Sequence, residues 1–324
     1  MENKKIVLVK PQCSVEIRSQ FMTRFGEQCE FIFQDSEHEN AIEMAEIIIG
    51  EPEEAELRMA EKLRWLQLTW AGADKYTKIK NFPQKVALTN ASGAFGKIIA
   101  EYAIGGIIAL YRSFPVYWNH KQKHIWKKSD SADTLYGKNV LILGTGDIGK
   151  NLAHRIKAFE THVTGIKRTK TFDYAEPMQD FDQIYDLSEL DQQLTEADIV
   201  IGCLPGTPET KGLLNYERLH SMKKKAVLVN VGRGSLIPMD DLARVLMEGH
   251  LQGAVLDVFE AEPLSEKSPL WNMENVLLTP HIAGPSFGGN TKVEKQIWDI
   301  CMENLERYLN GQKLRNIVQL DIGY

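Results

Sequence analysis

The stretch NVLILGTGDIGKNLAHRIKAF, residues 139–159, limits the possible folds of this chain more than any other. An aliphatic run stops at Gly144, and an amphipathic helical pattern begins within three residues of it. A strand that turns at once into a helix packed on its own sheet satisfies both halves. The three glycines have separate roles. Gly144 permits the tight turn, Gly146 lets the backbone approach a ligand, and Gly149 lets helix and strand pack closely. The amides near Asp147 and Ile148 then lie at a helix N-terminus and point at an anion such as a pyrophosphate. A tight turn without a ligand would account for the glycines alone. The second apolar strand beyond the helix, HVTGIK (162–167), favours a dinucleotide-binding βαβ unit.

The remainder of the chain repeats this alternation. Before the fingerprint come IVLVK (6–10), FIFQ (31–34), EIIIGE (46–51), RWLQLTW (64–70) and KVALTN (85–90); after it come DIVIGCLP, AVLVNVG, AVLDVF and VLLTPH. Short apolar runs spaced by helix-sized segments predict parallel sheets with helices on their faces. A length of 324 residues suggests two hydrophobic cores. Long helices are expected over about 96–117 and 290–310, the second capped at Asn310-Gly311. The tail KLRNIVQLDIGY has no helical period and should pack back on the first domain.

Charge and cysteine usage exclude several classes. A net charge of −6 weighs against a general nucleic-acid binder. Lys121, Lys123, His124, Lys127 and Lys128 are read as a solvated basic face. Cys13, Cys29, Cys203 and Cys301 lie far apart without metal-ligand spacing, which suits reduced thiols and a cytoplasmic protein. The apolar run in MENKKIVLVKPQ is too short for a signal peptide. IIAEYAIGGIIALY (98–111) is interrupted by Glu101 and too short for a membrane span.

The residues after the second strand of the fingerprint are unusual. An acidic residue there accepts hydrogen bonds from the ribose 2′-OH of NAD. This chain has Lys167, Arg168 and Thr169 instead. Two cations and a hydroxyl attract a 2′-phosphate, and guanidinium offers it paired donors in one plane. NADP(H) is therefore the expected cofactor, with NAD(H) left possible.

Three later segments, VNVGRGSLI (229–237), AVLDVFEAEPL (254–264) and LLTPHIAG (277–284), resemble the signature segments of the D-isomer-specific 2-hydroxyacid dehydrogenases. TWAGADKY (69–76) resembles that family's substrate loop, and LTNASGAFGKIIAEYAIGGIIALYR its interdomain helix. CLPGTPETKGLLN resembles its loop over the cofactor. The resemblance covers nearly the whole chain in order. It implies two doubly wound parallel-sheet α/β domains: a discontinuous, flavodoxin-like substrate domain over 1–97 and 300–324, and a Rossmann NAD(P)-binding domain over 98–299. It also implies a dimer, which the apolar helix 98–111 would build.

The same resemblance assigns the site. Arg233, Glu262 and His281 become the catalytic trio, and the chemistry agrees. Arg233 can grip a carboxylate with two parallel bonds and polarise a neighbouring ketone. Histidine changes charge nearest neutral pH, so His281 is the natural proton donor, and Glu262 would orient it. Glu260 does not fall on the motif. Taken singly, each has a plainer role as a turn, solvated or satisfied residue. The resemblance adds Leu204, Pro205, Thr210, Val231, Gly232, Asp257 and Gly284, besides His281, to the cofactor contacts. Asp257 falls where the family accepts from the nicotinamide amide. Ala71, Gly72 and Ala73 would offer backbone amides to the substrate, together with Arg233 and His281. Trp70, Phe95 and Phe287 are pocket or core candidates. Trp70 and Pro285 depart from the family pattern and bear on the substrate.

The expected activity is NADPH-dependent reduction of a small 2-oxo acid, glyoxylate- or hydroxypyruvate-like or larger, to a (2R)-2-hydroxy acid. Two alternatives stay open: a nucleotide-sensing corepressor-like binding protein, and another dehydrogenase of the same fold using NAD. A formate dehydrogenase pairs its histidine with glutamine, and Glu262 disagrees with that.

Overall fold

The structure is a computed structural model that describes residues 4–34, 40–129, 132–168, 180–288 and 291–324. The chain divides into two units, Met1–Ala94 with Pro285–Tyr324, and Phe95–Gly284. The divisions expected at 97/98 and 299/300 are displaced along the chain from these points. The later one would have cut through Thr291–Leu309, which is one continuous helix.

The first unit is built on five parallel strands: β1 (Lys5–Val9), β2 (Cys29–Phe33), β3 (Ile47–Ile49), β4 (Trp65–Gln67) and β5 (Ala87–Thr89). Their order is β2-β1-β3-β4-β5, that of a flavodoxin-like sheet. β3 is Ile-Ile-Ile with every residue buried, as a central strand covered on both faces requires. Ile297, Trp298, Cys301 and Leu305 of the helix Thr291–Leu309 are buried too, and Trp298 meets Phe21 edge-on at 5.9 Å. The tail returns to the β5 edge as expected: Val318 N donates to Leu88 O at 2.8 Å.

The second unit holds seven parallel strands: β6 (Asn139–Leu143), β7 (His162–Lys167), β8 (Gln183–Asp186), β9 (Ile199–Gly202), β10 (Val227–Asn230), β11 (Gly253–Leu256) and β12 (Val276–Leu278). The order is β12-β11-β10-β9-β6-β7-β8. The chain leaves β6 toward β7 and later returns to β9 on the other side. The topological switch point therefore lies between β6 and β9, at the carboxyl end where such sheets bind ligands. β8 has no apolar run and was not expected; its pairing with Thr164–Lys167 of β7 makes it a strand.

Two expectations about residues 96–117 need correction. The helix Gly96–Tyr111 stops, Ser113 takes φ 54°, and a separate helix runs from Phe114 to Gln122. Pro115 explains the break, because its ring clashes with the carbonyl four residues back and it has no amide to donate. The first helix is also not an exposed apolar surface. Ile99, Ala103, Ile107 and Leu110 are buried. Gly106 lies so close to β11 that a Cβ there would meet Val255 at 2.7 Å. The exposed large apolar side chains follow this helix: Phe114, Trp118 and Trp126, with Trp126 fully exposed.

Candidate active site

The fingerprint forms the cradle its spacing implied. Gly144 has φ 109°, a value that L side chains rarely adopt. A Cβ on Gly149 would sit 1.9 Å from Gly144 O, so helix and strand could not close on any larger residue. A Cβ on Gly146 would meet nothing within 4 Å, which leaves that backbone open to a ligand. The helix Asp147–Ile156 has no side-chain cap at Gly146, so its first amides face a place suited to phosphate. These residues fit a dinucleotide. Asp147 also braces the cradle, since its Oδ2 accepts from Gly96 N at 2.9 Å and ties the helix Gly96–Tyr111 to the fingerprint.

Gly144 N donates to Ile166 O at 2.9 Å, which puts Lys167 and Arg168 one strand away from the cradle. Arg168 acts electrostatically on Glu209, whose carboxyl is held low by Thr207, by its own backbone amide and, to a smaller degree, by that guanidinium. Thr169 lies outside the described residues. In the cofactor loop, Thr210 Oγ1 donates to Pro205 O at 2.7 Å and accepts from Thr207 N at 2.9 Å. Leu204 passes so close to Gly232 that a Cβ there would lie 2.7 Å from Leu204 O. Cys203 donates its thiol to Leu143 O and Gly144 O, and burial pushes it up to about 12.

The catalytic candidates stand beyond the carboxyl ends of β10, β11 and β12. His281 Nδ1 and Glu262 Oε2 are 2.9 Å apart, and Phe259 N fixes the other oxygen of Glu262, also at 2.9 Å. An ionised carboxylate only accepts, so Nδ1 carries the proton and Nε2 is left for chemistry. An apolar hollow of about 360 Å³, lined in part by Phe259, Leu264, Trp271 and Leu278, flanks the pair. Arg233 follows β10 and Val231, which is buried. Its Nη1 donates to Gly232 O at 2.8 Å. The fully buried Asn230 shapes this turn: its Nδ2 donates to Arg233 O at 3.0 Å, and its Oδ1 accepts from Gly232 N at 3.3 Å. Asn230 stands inside the quoted VNVGRG segment, yet nothing in the sequence says that its amide spans the turn.

Asp257 is almost entirely buried and its carboxylate is engaged three times within the chain. It accepts from Thr279 Oγ1 at 2.6 Å, Ile282 N at 2.8 Å and Ala283 N at 2.8 Å. These bonds bracket His281, whose backbone sits in the left-handed region at φ 56°. Such a conformation costs on the order of 1–3 kcal/mol and persists only where its surroundings impose it. Asp257 and the bond from His281 N to Asp257 O at 2.9 Å impose it here. Thr279 Oγ1 lies 2.6 Å from Tyr102 OH, so Tyr102 donates to Thr279 as Thr279 donates to Asp257. Burial pushes the Tyr102 phenol up and keeps its proton in place. Gly284 packs beneath Ile99 and Phe95, and Phe95 is buried.

Ala71, Gly72 and Ala73 belong to the first unit. Their amides donate to no other group among the described residues. Asn90 Nδ2 donates to Ala71 O at 2.7 Å. A trans peptide turns its carbonyl and the following N–H in opposite directions, so Gly72 N–H points away from Asn90. Trp70, in the same loop, is 45% exposed, whereas Phe287 packs on Trp298 at 5.5 Å. No helix among the described residues is long and apolar enough to cross a membrane.

A Rossmann-type sheet with a histidine–carboxylate pair and an arginine beyond its strands defines a nicotinamide-dependent oxidoreductase. Comparison with known proteins narrows the class. Residues 104–283 match the NAD-binding domain of the D-isomer specific 2-hydroxyacid dehydrogenases. The hydroxyphenylpyruvate reductase of Plectranthus scutellarioides is 34% identical over 75% of this chain and 74% of its own. A crystal structure of a D-isomer specific 2-hydroxyacid dehydrogenase family protein from Aeromonas salmonicida superposes with TM-score 0.85 at 32% identity, covering 98% of this chain and all of that one. An NADPH-dependent glyoxylate/hydroxypyruvate reductase from Sinorhizobium meliloti, solved with NADP and sulfate, gives TM-score 0.83 at 25% identity over 99% and 100% of the two chains. The chain belongs to the D-isomer specific 2-hydroxyacid dehydrogenase family and is an NAD(P)-dependent oxidoreductase.

Proposed function

We propose that the protein reduces a small 2-oxo acid to the (2R)-2-hydroxy acid with NADPH, as a cytoplasmic homodimer. The observation that carries this reading is the His281–Glu262 pair, with Glu262 pinned by Phe259 N. Gly144, Gly146, Asp147, Ile148 and Gly149 would hold the pyrophosphate, and Leu204, Pro205, Val231, Gly232 and Gly284 the remainder of the dinucleotide. When bound, the reduced nicotinamide supplies a hydride to the ketone carbon. Arg233 grips the substrate carboxylate and polarises the ketone oxygen. In the first unit the amides of Ala71, Gly72 and Ala73 are assigned to the substrate carboxylate by the family resemblance. As the carbon–oxygen double bond opens, His281 Nε2 gives its proton to the oxygen, and solvent later returns one. Glu262 stabilises the imidazolium before transfer and fixes the ring throughout.

Lys167 and Arg168 support the NADPH preference, and the NADP-bound relative from Sinorhizobium is consistent with it. Asp257 is expected to accept from the nicotinamide amide, and it also has a part within the chain. Its three internal bonds favour a part in positioning His281, and a bond from the nicotinamide amide would be a fourth on a carboxylate with about four acceptor sites. The dimer is assigned to the aromatic face after Tyr111, where Phe114, Trp118 and Trp271 border a groove of about 570 Å³. Exposed apolar patches of this kind mark association surfaces.

Nicotinamide absorbance tests the activity directly. NADPH and NADH are each assayed with glyoxylate, hydroxypyruvate, pyruvate and bulkier 2-oxo acids. Oxidation of NADPH by at least one of them, faster than of NADH, is expected. No turnover with any 2-oxo acid removes the proposal. Sedimentation of wild type and Trp118→Glu tests the dimer: a dimer that the charge splits is expected, and a monomeric wild type excludes it.

A further inference from the structure

Glu51 lies two residues beyond β3, beneath the loop that begins at Thr69. Its carboxylate accepts from Thr69 N at 2.7 Å, Thr69 Oγ1 at 2.9 Å and Trp70 N at 3.2 Å. Burial pushes this carboxyl up, opposed by those bonds and by Lys75. The loop is tied again directly afterwards, as Ala91 N donates to Trp70 O at 2.8 Å and Asn90 to Ala71 O at 2.7 Å. Beyond these ties the amides of Ala71, Gly72 and Ala73 follow one another. These are the amides assigned above to the substrate carboxylate. Glu51 thus braces the loop that leads into them, through Thr69 N and Trp70 N.

Its charge requires a separate explanation. A glutamine or asparagine could accept from the same amides without placing a negative charge beside an anion site. Neither nearby lysine pairs directly with Glu51: Lys10 pairs with Glu56, and Lys75, which acts on Glu51 at longer range, pairs with Glu53 at 2.7 Å. A partly buried carboxylate weakens the binding of every anion nearby, and it weakens a dianion more than a monoanion. We propose that Glu51 is a positioning and specificity residue that presents the Ala71–Ala73 amides and confines the site to 2-oxo acids with a single negative charge. This rests on the assignment of those amides to the substrate carboxylate.

Two measurements test the two parts. The first compares kcat/KM for oxaloacetate, which has a second carboxylate, with that for α-ketoisocaproate, of similar shape and one charge. Glu51→Gln should move the ratio toward oxaloacetate by about 3- to 10-fold, mainly through KM. The KM for NADPH should stay unchanged. A purely structural role lowers both acids alike, and an unchanged ratio overturns the specificity. The second measurement is amide hydrogen exchange in Glu51→Ala and Glu51→Gln without substrate. Thr69 and Trp70 should exchange at least about tenfold faster in Glu51→Ala, where both of their amides lose a charge-assisted bond. Residues 139–143 should not change. Wild-type protection in Glu51→Ala overturns the anchoring whatever the enzyme reduces. Should wild type reduce neither acid, the specificity falls while the proposed activity is still decided by the other 2-oxo acids, and exchange decides the anchor.

Discussion

The two units each fasten a functional loop with one inward-facing carboxylate. In the second unit Asp257 takes two backbone amides and the hydroxyl of Thr279. In the first unit Glu51 takes two backbone amides and the hydroxyl of Thr69. What the loops carry differs. The Asp257 loop presents a side chain, His281, from a strained backbone. The Glu51 loop presents backbone amides from residues too small to block them. A side chain that transfers a proton needs one exact direction, and a left-handed residue held from three sides supplies it. An anion contact tolerates more variation, since several amides share it. Damage to the Asp257 loop should therefore appear in turnover, and damage to the Glu51 loop in KM.

The largest expected effect removes the group that the Asp257 loop exists to hold. His281→Ala should lower turnover by roughly 10²–10⁴-fold, the range for a positioned general acid. NADPH binding, followed by fluorescence titration, should survive. Near-normal turnover would leave the loop without the role given to it. Asp257→Ala should come next, at about 10²-fold in turnover, because a loop displaced by about 1 Å misplaces the acid. Its crystal structure should show His281 released from φ 56°. A variant that loses only NADPH affinity would instead favour the nicotinamide contact.

The cofactor end sharpens the contrast, since it should alter neither substrate parameter first. Arg168→Ala should raise KM for NADPH by roughly 10- to 100-fold and leave NADH nearly unchanged, as hydrogen bonds to charged groups contribute about 1.5–3 kcal/mol. Lys167→Asp should shift preference further, because its carboxylate accepts from ribose hydroxyls and repels the phosphate. Added salt should narrow the difference at this solvent-facing site. Equal small changes with both cofactors would dissociate these cations from the 2′-phosphate.

These differences follow what the sequence could reveal. Fingerprint and strands were legible because each depends on local pattern, and the His281–Glu262 pairing because each residue type follows a strand end. Gly144 and Gly149 announce a turn; IIIG announces a buried strand. The break at Ser113 was less visible, because FP after a long apolar helix can be read as its last turn. The anchors were hidden for another reason. Glu51 reads as one of several acids in GEPEEAE, and Tyr102 as one apolar position on a helix. Their partners stand at Thr69 and Thr279, and pattern within a window carries no information about bonds made across the fold.

Tyr102 gives the smallest effect and the finest test of the Asp257 anchor. Its hydroxyl reaches Asp257 only through Thr279. Tyr102→Phe keeps the ring and removes one donor, so Thr279 still donates to Asp257 and the bonds from Ile282 N and Ala283 N remain. The expected loss is about 0.5–1.5 kcal/mol of stability, that of one hydrogen bond. Turnover should fall by no more than a few-fold. Thr279→Val should be worse on both counts, since it cuts the chain at its middle and leaves a buried carboxylate oxygen short of a donor. The two changes should also be non-additive: once valine replaces Thr279, losing the Tyr102 hydroxyl should matter little. Thermal melts and turnover numbers for the four members of that cycle decide the matter. Additive losses would mean that Tyr102 and Thr279 act independently. A Tyr102→Phe defect as large as that of His281→Ala would mean that the hydroxyl takes part in the chemistry and is no mere support for the loop.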